Sequence, residues 1–137
     1  MNAESEAQVR IGSESDIVTV RKAVREAASS MGFGMTDVTR IVTAASELAR
    51  NVYHYAGSGL MRWHRTNTGD GAALVLVFMD QGPGIPDIEE AMEMGFTTRG
   101  GLGLGLPGAK RLMDEMKIQS SVGKGTIVTV TKWKRGS

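Results

Sequence analysis

Apolar residues return every three or four positions in two long stretches of the first third of the chain. Further on they form alternating or unbroken runs of strand length. Ile17, Val20, Val24, Ala27, Ala28 and Met31 keep one face of a helix, because 3.6 residues per turn stacks such positions. Ser13 stands where a cap belongs and Glu14 and Asp16 fall in the first turn, where negative charge suits the helix dipole. Gly32 and Gly34 end this helix. Thr36 then caps a second helix that runs to about Ala56, with Val38, Ile41, Val42, Ala45, Leu48, Ala49 and Val52 as its apolar stripe. Before both, Val9-Arg10-Ile11 predicts a short strand.

The second half reads differently. Leu60 to Arg65 predicts a strand, Asn67 to Gly71 a turn, and the unbroken apolar run Ala72 to Met79 a more buried partner in a hairpin. Pro86-Asp87 opens a short amphipathic helix through Met92, and a loop from Met94 to Gly105 follows. Pro107 suits a first helical turn, where its missing N–H is not needed. Ala109, Leu112, Met113 and Met116 then predict the apolar face of a third major helix. Lys117 to Val122 and Thr126 to Trp133 predict two last strands joined at Gly123-Lys124-Gly125. This order implies an α+β fold, a two-layer sandwich whose mostly antiparallel sheet carries helices on one face, with residues 1–137 as a single domain.

Composition removes several function classes. A net charge of +1 gives no general pull toward nucleic acid or acidic membranes. The chain has no cysteine, which excludes disulfides, thiol catalysis and zinc–thiolate sites. No apolar run nears the roughly 20 residues of a membrane span, and MNAESEAQ lacks the blocks of a secretory signal. A cytoplasmic protein is the expectation. His54 and His64 have no metal-ligand spacing.

The chemistry concentrates in glycine. One cluster is Asp80-Gln81-Gly82-Pro83-Gly84, the other Gly100 to Gly108, and the second runs into a helical pattern. Glycine is used where backbone turns with positive φ or comes very close to something. A loop rich in free amides entering a helix N-terminus is suited to anions. On the second helix, Glu47 and Asn51 are four apart and share a face, placed by a rotation of about 100° per residue roughly opposite the apolar stripe. Ala44 beside them leaves space. Gly103 to Gly108 fits a dinucleotide fingerprint in letters, but it follows a loop and no acidic residue stands where a ribose needs one. Gly123-Lys124-Gly125-Thr126 is not a P-loop. The Val-Ala-Ile-Lys and His-Arg-Asp signatures of eukaryotic-type kinases are absent.

Glu47-x-x-x-Asn51, Asp80-x-Gly82-x-Gly84, the glycine-rich lid and Gly125-Thr126 occur in that order. Together they resemble the N, G1, G2 and G3 boxes of the GHKL ATPases, the Bergerat-fold superfamily. ELARNVYHYAG, DQGPGIPDI and GGLGLGLPGAKRLMDE are most similar to the anti-sigma-factor kinase branch, and within it to the RsbT-type serine/threonine kinases of the stressosome. The resemblance covers about residues 9–133.

That resemblance implies ATP and Mg²⁺ as cofactors. Asp80 would accept a hydrogen bond from the adenine amino group, with Gly82 and Gly84 shaping the loop and Gly84 letting the base approach. Thr126 would serve the same adenine edge, and Asn51 would bind the metal. The amides of Gly101, Leu102, Gly103, Leu104 and Gly105 would wrap the phosphates, and Arg99 would contact the γ-phosphate. Glu47 would orient or deprotonate the attacking hydroxyl. The implied substrates are STAS-domain proteins, and the implied second partner is a PP2C-type phosphatase activated after release. Neither nucleic acid nor membrane is implied. Two other functions remain open: an anti-sigma kinase that binds a sigma factor directly, and a nucleotide-gated binding module without catalysis.

Overall fold

The computed structural model describes residues 7–69, 71–85, 87, 88, 92 and 106–134. Its elements are β1 (Ala7–Ile11), α1 (Glu14–Ser30), α2 (Met35–Asn51), a π turn (Val52–Ala56), β2 (Gly59–Thr68), β3 (Gly71–Asp80), α3 (Leu106–Leu112), β4 (Glu115–Ser121) and β5 (Gly125–Trp133). The strands form one sheet in the order β1-β2-β3-β5-β4. Every pairing among the described residues is antiparallel. The two-layer α+β sandwich is as the sequence implies.

Side chains alternate across a strand, so register decides which residues meet the helices. Leu74, Leu76 and Phe78 of β3 face inward, next to Val128 and Val130 of β5 and Met61 of β2. All are buried, and they share one core with Val20, Val24 and Ala28 of α1 and Ile41, Ala45 and Leu48 of α2. The period-2 pattern of β4 and the apolar stripes of the helices thus point at the same core.

Three expectations need correction. The second helix starts at Met35, not at a Thr36 cap, because extended Gly34 occupies the cap position and its carbonyl accepts the Val38 N–H at 2.9 Å. Ser13 does sit at the α1 cap, but its hydroxyl makes no capping bond. Asp16 instead reaches back to the Gly12 N–H at 2.8 Å. The third helix ends at Leu112, and Met116 lies on β4. Met116, Ile118 and Ser120 alternate toward the inner face, a period-2 signal that helical spacing from Leu112 and Met113 obscured. The short helix expected after Pro86 lies largely outside the described residues, where one helical bond, Met92 N–H to Ile88 C=O at 3.1 Å, is visible.

Why α3 stops is clear. Lys132 of β5, 7% exposed, donates through Nζ to the Leu112 carbonyl at 2.9 Å. The same ammonium lies 3.8 Å from Asp37 of α2 and 3.8 Å from Asp114. One cation therefore caps a helix C-terminus and ties it to α2, where positive charge is favoured. Replacing Lys132 by Met strands the Leu112 carbonyl and takes one cation from Asp37 and Asp114, which keep Arg40 and the Trp133 N–H as partners. The variant is expected to lose about 2 kcal/mol of stability, read as a lower urea midpoint with unchanged m-value.

Candidate nucleotide-binding site

The site forms where three strand ends meet the last turn of α2. Asp80 ends β3 on the inner face, directly across from Gly59 of β2 and Thr126 of β5. Its Oδ1 accepts the Gly82 N–H at 2.8 Å. The other carboxylate oxygen has no hydrogen-bond partner among the described residues.

A collar of small residues holds this carboxylate. A Cβ on Gly59 would strike the Met79 carbonyl and Val52. One on Gly125, whose φ is +105°, would strike the Asp80 carbonyl and lie 2.7 Å from Gln81 Cα. One on Gly82 would lie 2.7 Å from Ala56 Cβ on the π turn. Gly84 has φ +81°, and a side chain there would run into the Ser121 carbonyl. The close approach visible at Gly84 is thus that of the β4–β5 hairpin, a constraint that acts whether or not a base is bound. The Gly123 N–H donates to the Pro83 carbonyl at 2.8 Å and pins the same loop.

Thr126 belongs to a hydroxyl network. Ser120, across from it on β4, accepts the Ile85 N–H at 2.7 Å, donates to the Gly125 carbonyl at 3.0 Å and lies 2.8 Å from Thr126 Oγ1. Ser120 has one proton to give. With that proton on Gly125, Thr126 donates to Ser120 and keeps lone pairs to offer as an acceptor.

Above this floor lies a pocket of about 580 Å³, counted with its open mouth. Asn51, Asp80 and Thr126 supply polar lining; Leu48, Phe78 and Val128 supply apolar walls. Asn51 is half-buried and makes no side-chain hydrogen bond among the described residues. The placement of Glu47 and Asn51 opposite the apolar stripe needs correction. Ala44 is fully buried in the same core as Leu106 and Ala109 of α3, so it leaves no space. Helix α2 is covered by α3 as well as by α1 and the sheet, which widens its buried arc and leaves Asn51 on a shoulder beside the pocket. Glu47 stands one turn back, with its side chain 40% exposed and 3.6 Å from Arg50. It does not line the pocket itself. Arg99 and Gly101 to Gly105, including Leu102 and Leu104, lie outside the described residues.

Sequence reasoning missed Tyr55. It lines the pocket from the π turn, and its hydroxyl is shut off from solvent without a hydrogen-bond partner among the described residues. Burial raises its pKa above the usual tyrosine value, so the hydroxyl stays a donor at neutral pH. π turns concentrate at functional sites, but nothing in the spacing of Val52 to Ala56 announces one. Ser120 was also missed; only its register opposite Thr126 reveals it.

The histidine kinase-like ATPase domain family matches residues 13–132 of this geometry's chain. The chain belongs to that family. Among curated proteins similar to it is the serine/threonine-protein kinase RsbT of Bacillus subtilis, 51% identical over 93% of this chain and 96% of that one. An anti-sigma F factor of Bacillus licheniformis is 35% identical over 72% of this chain and 70% of its own length. A solved Mycobacterium tuberculosis structure of RsbU and RsbW domains superposes with a TM-score of 0.63 at 22% identity, covering 96% of this chain and 34% of that longer one. At that identity it speaks to the fold alone. The family and the full-length likeness to a kinase set the enzyme class: an ATP-dependent protein serine/threonine kinase of the histidine kinase-like ATPase family.

The pocket residues fit a nucleotide by their own chemistry. The free oxygen of Asp80 suits an amino-group donor, and the orphaned Tyr55 hydroxyl suits an acceptor. Tyr55→Phe removes an unsatisfied buried group, so the ligand-free protein should melt no lower than the parent. Its ATP affinity should nevertheless fall by about tenfold, measured by calorimetry beside a thermal melt.

Proposed function

We propose that this kinase transfers the γ-phosphate of Mg-ATP to Ser or Thr hydroxyls of STAS-domain proteins in a stress-response partner-switching pathway. Once released from them, it binds and activates a PP2C-type phosphatase. The observation that carries the reading is the placement of Glu47 one turn from Asn51. A carboxylate that is 40% exposed at the edge of the pocket can be reached by a hydroxyl on a protein.

The residues take the following parts. Asp80 accepts from the adenine amino group, backed by Gly59, Gly82 and Gly125, with Thr126 and Ser120 completing the base edge. Asn51 would hold Mg²⁺ through its amide oxygen, and the ion would supply positive charge to offset that of the phosphates. The amides of Gly101 to Gly105 are assigned to the phosphates by their motif, and Arg99 to the γ-phosphate by its position in the lid. In the transfer the acceptor oxygen bonds to the γ-phosphorus, the bond to the β,γ-bridging oxygen breaks, and ADP leaves. Glu47 orients the hydroxyl and takes its proton.

A second reading, an anti-sigma kinase that binds a sigma factor, is supported by the likeness to the anti-sigma F factor. The higher identity and fuller coverage of the RsbT likeness favour the first. A binding module without catalysis would have no use for the carboxylate of Glu47. Pull-down with a sigma factor, set against a phosphatase N-terminal domain, separates the two kinase readings.

Glu47→Ala should leave Mg-ATP affinity within about twofold of the parent, since it removes no base contact. Transfer of labelled phosphate to a STAS protein should drop by about a hundredfold or more. Undiminished transfer would take Glu47 out of the mechanism.

A further inference from the structure

The face of the sheet turned away from the helices has its own chemistry. Register sets Arg10, Leu60, Met79, Ile127 and Gln119 in one row across all five strands. The next row is Gln8, Arg62, Val77, Thr129 and Lys117. Its middle is therefore aliphatic, while Arg10 and Arg62 stand on one flank and Lys117 on the other, with Lys124 beyond the end of that flank. A groove lies along it, lined by Arg10, Leu60, Arg62, Met79, Lys124 and Ile127. Ile127 is 36% exposed.

These cations are not neutralised. Arg10, Arg62, Lys117 and Lys124 have no ion-pair partner among the described residues. Arg62 donates only to the neutral Gln8 side chain, at 3.1 Å. Two described acids lie near it: Asp80 borders the groove at its end, and Glu115, at the far end of β4, accepts the Trp133 indole N–H at 3.0 Å.

We propose that this outer face docks an acidic amphipathic helix of a partner protein. Strands lie about 4.8 Å apart and a helix with its side chains is about 10 Å wide. A helix laid along β3 and β5 covers the aliphatic middle and brings its own flanks over Arg10 and Arg62 on one side and Lys117 and Lys124 on the other. Glutamates on those flanks complement both sides at once. A second copy of this chain does not, because it would set the same four cations against one another. Met79 and Ile127 are the sequence neighbours of Asp80 and Thr126 but point to the opposite face. The docked helix therefore lies over the face of the sheet opposite the pocket, and Asp80, Ser120 and Thr126 border only the end of its groove. The surface is independent of phosphotransfer, and its failure would leave the kinase reading intact.

The test uses the full chain and three probes: an 18-residue helical peptide with a leucine stripe and glutamate flanks, the same peptide with lysine flanks, and polyglutamate. Fluorescence anisotropy should show the glutamate-flanked peptide binding, with affinity falling as salt rises, and the other two binding at least about tenfold more weakly. Ile127→Glu and the double variant Arg10→Glu/Arg62→Glu should each weaken that peptide by about tenfold or more, with ATP affinity unchanged. Equal binding of the lysine-flanked peptide or of polyglutamate would overturn the proposal. So would indifference to both variants, or sedimentation showing a dimer that Ile127→Glu dissociates.

Discussion

The pairing of β3 with β5 is the constraint on which the rest depends. It puts Asp80 opposite Thr126 and Phe78 opposite Val128, so the polar floor of the pocket is continuous with the apolar core. A slip of one residue would turn the whole strand over. Met79 would enter the pocket and Asp80 would face outward. Burial of Leu74, Leu76 and Phe78 forbids that slip, since each would lose its place in the core. The carboxylate is thus positioned by the hydrophobic effect acting several residues away.

Close contact around Asp80 then does what side chains cannot. Gly59, Gly82 and Gly125 let the backbones of β2, the following loop and β5 crowd the end of β3, and the crowding fixes the carboxylate's direction. The π turn after α2 is part of this arrangement, because its Ala56 packs against Gly82 while its Tyr55 lines the pocket. Helix α3 is held from its far end by Lys132 and reaches the pocket through Leu106. The two ends of this short helix thus link the sheet, α2 and the nucleotide site.

Most of the architecture was legible from periodicity. The stripe from Val38 to Val52 and the run from Ala72 to Met79 each allow one sensible burial, and three residues singled out by motif, Asn51, Asp80 and Thr126, line one pocket, with Glu47 outside it. Local patterns failed where tertiary contacts decide. Met116 fits both a helix face and a strand face, and only pairing with Val130 selects the strand. Ala44 looked like open space because a single-helix projection cannot show that α3 covers it. Tyr55 and Ser120 carry no motif of their own; the fold, not the sequence, brings them beside Asp80. Gly125 reads as part of a turn and of a motif, although it also lets the β5 backbone approach Asp80.

Two faces of one sheet end up with different chemistry, a mixed polar and apolar pocket inside and a basic, aliphatic strip outside, because alternate residues of the same strands serve each. The central claim is that the free oxygen of Asp80 reads the base. Calorimetric titration of ATP against GTP tests it most directly. Adenine presents an amino donor to that oxygen, whereas guanine presents a carbonyl, which costs a charge-assisted bond and opposes two acceptors. ATP should bind at least about tenfold more tightly than GTP; equal affinities would contradict the account.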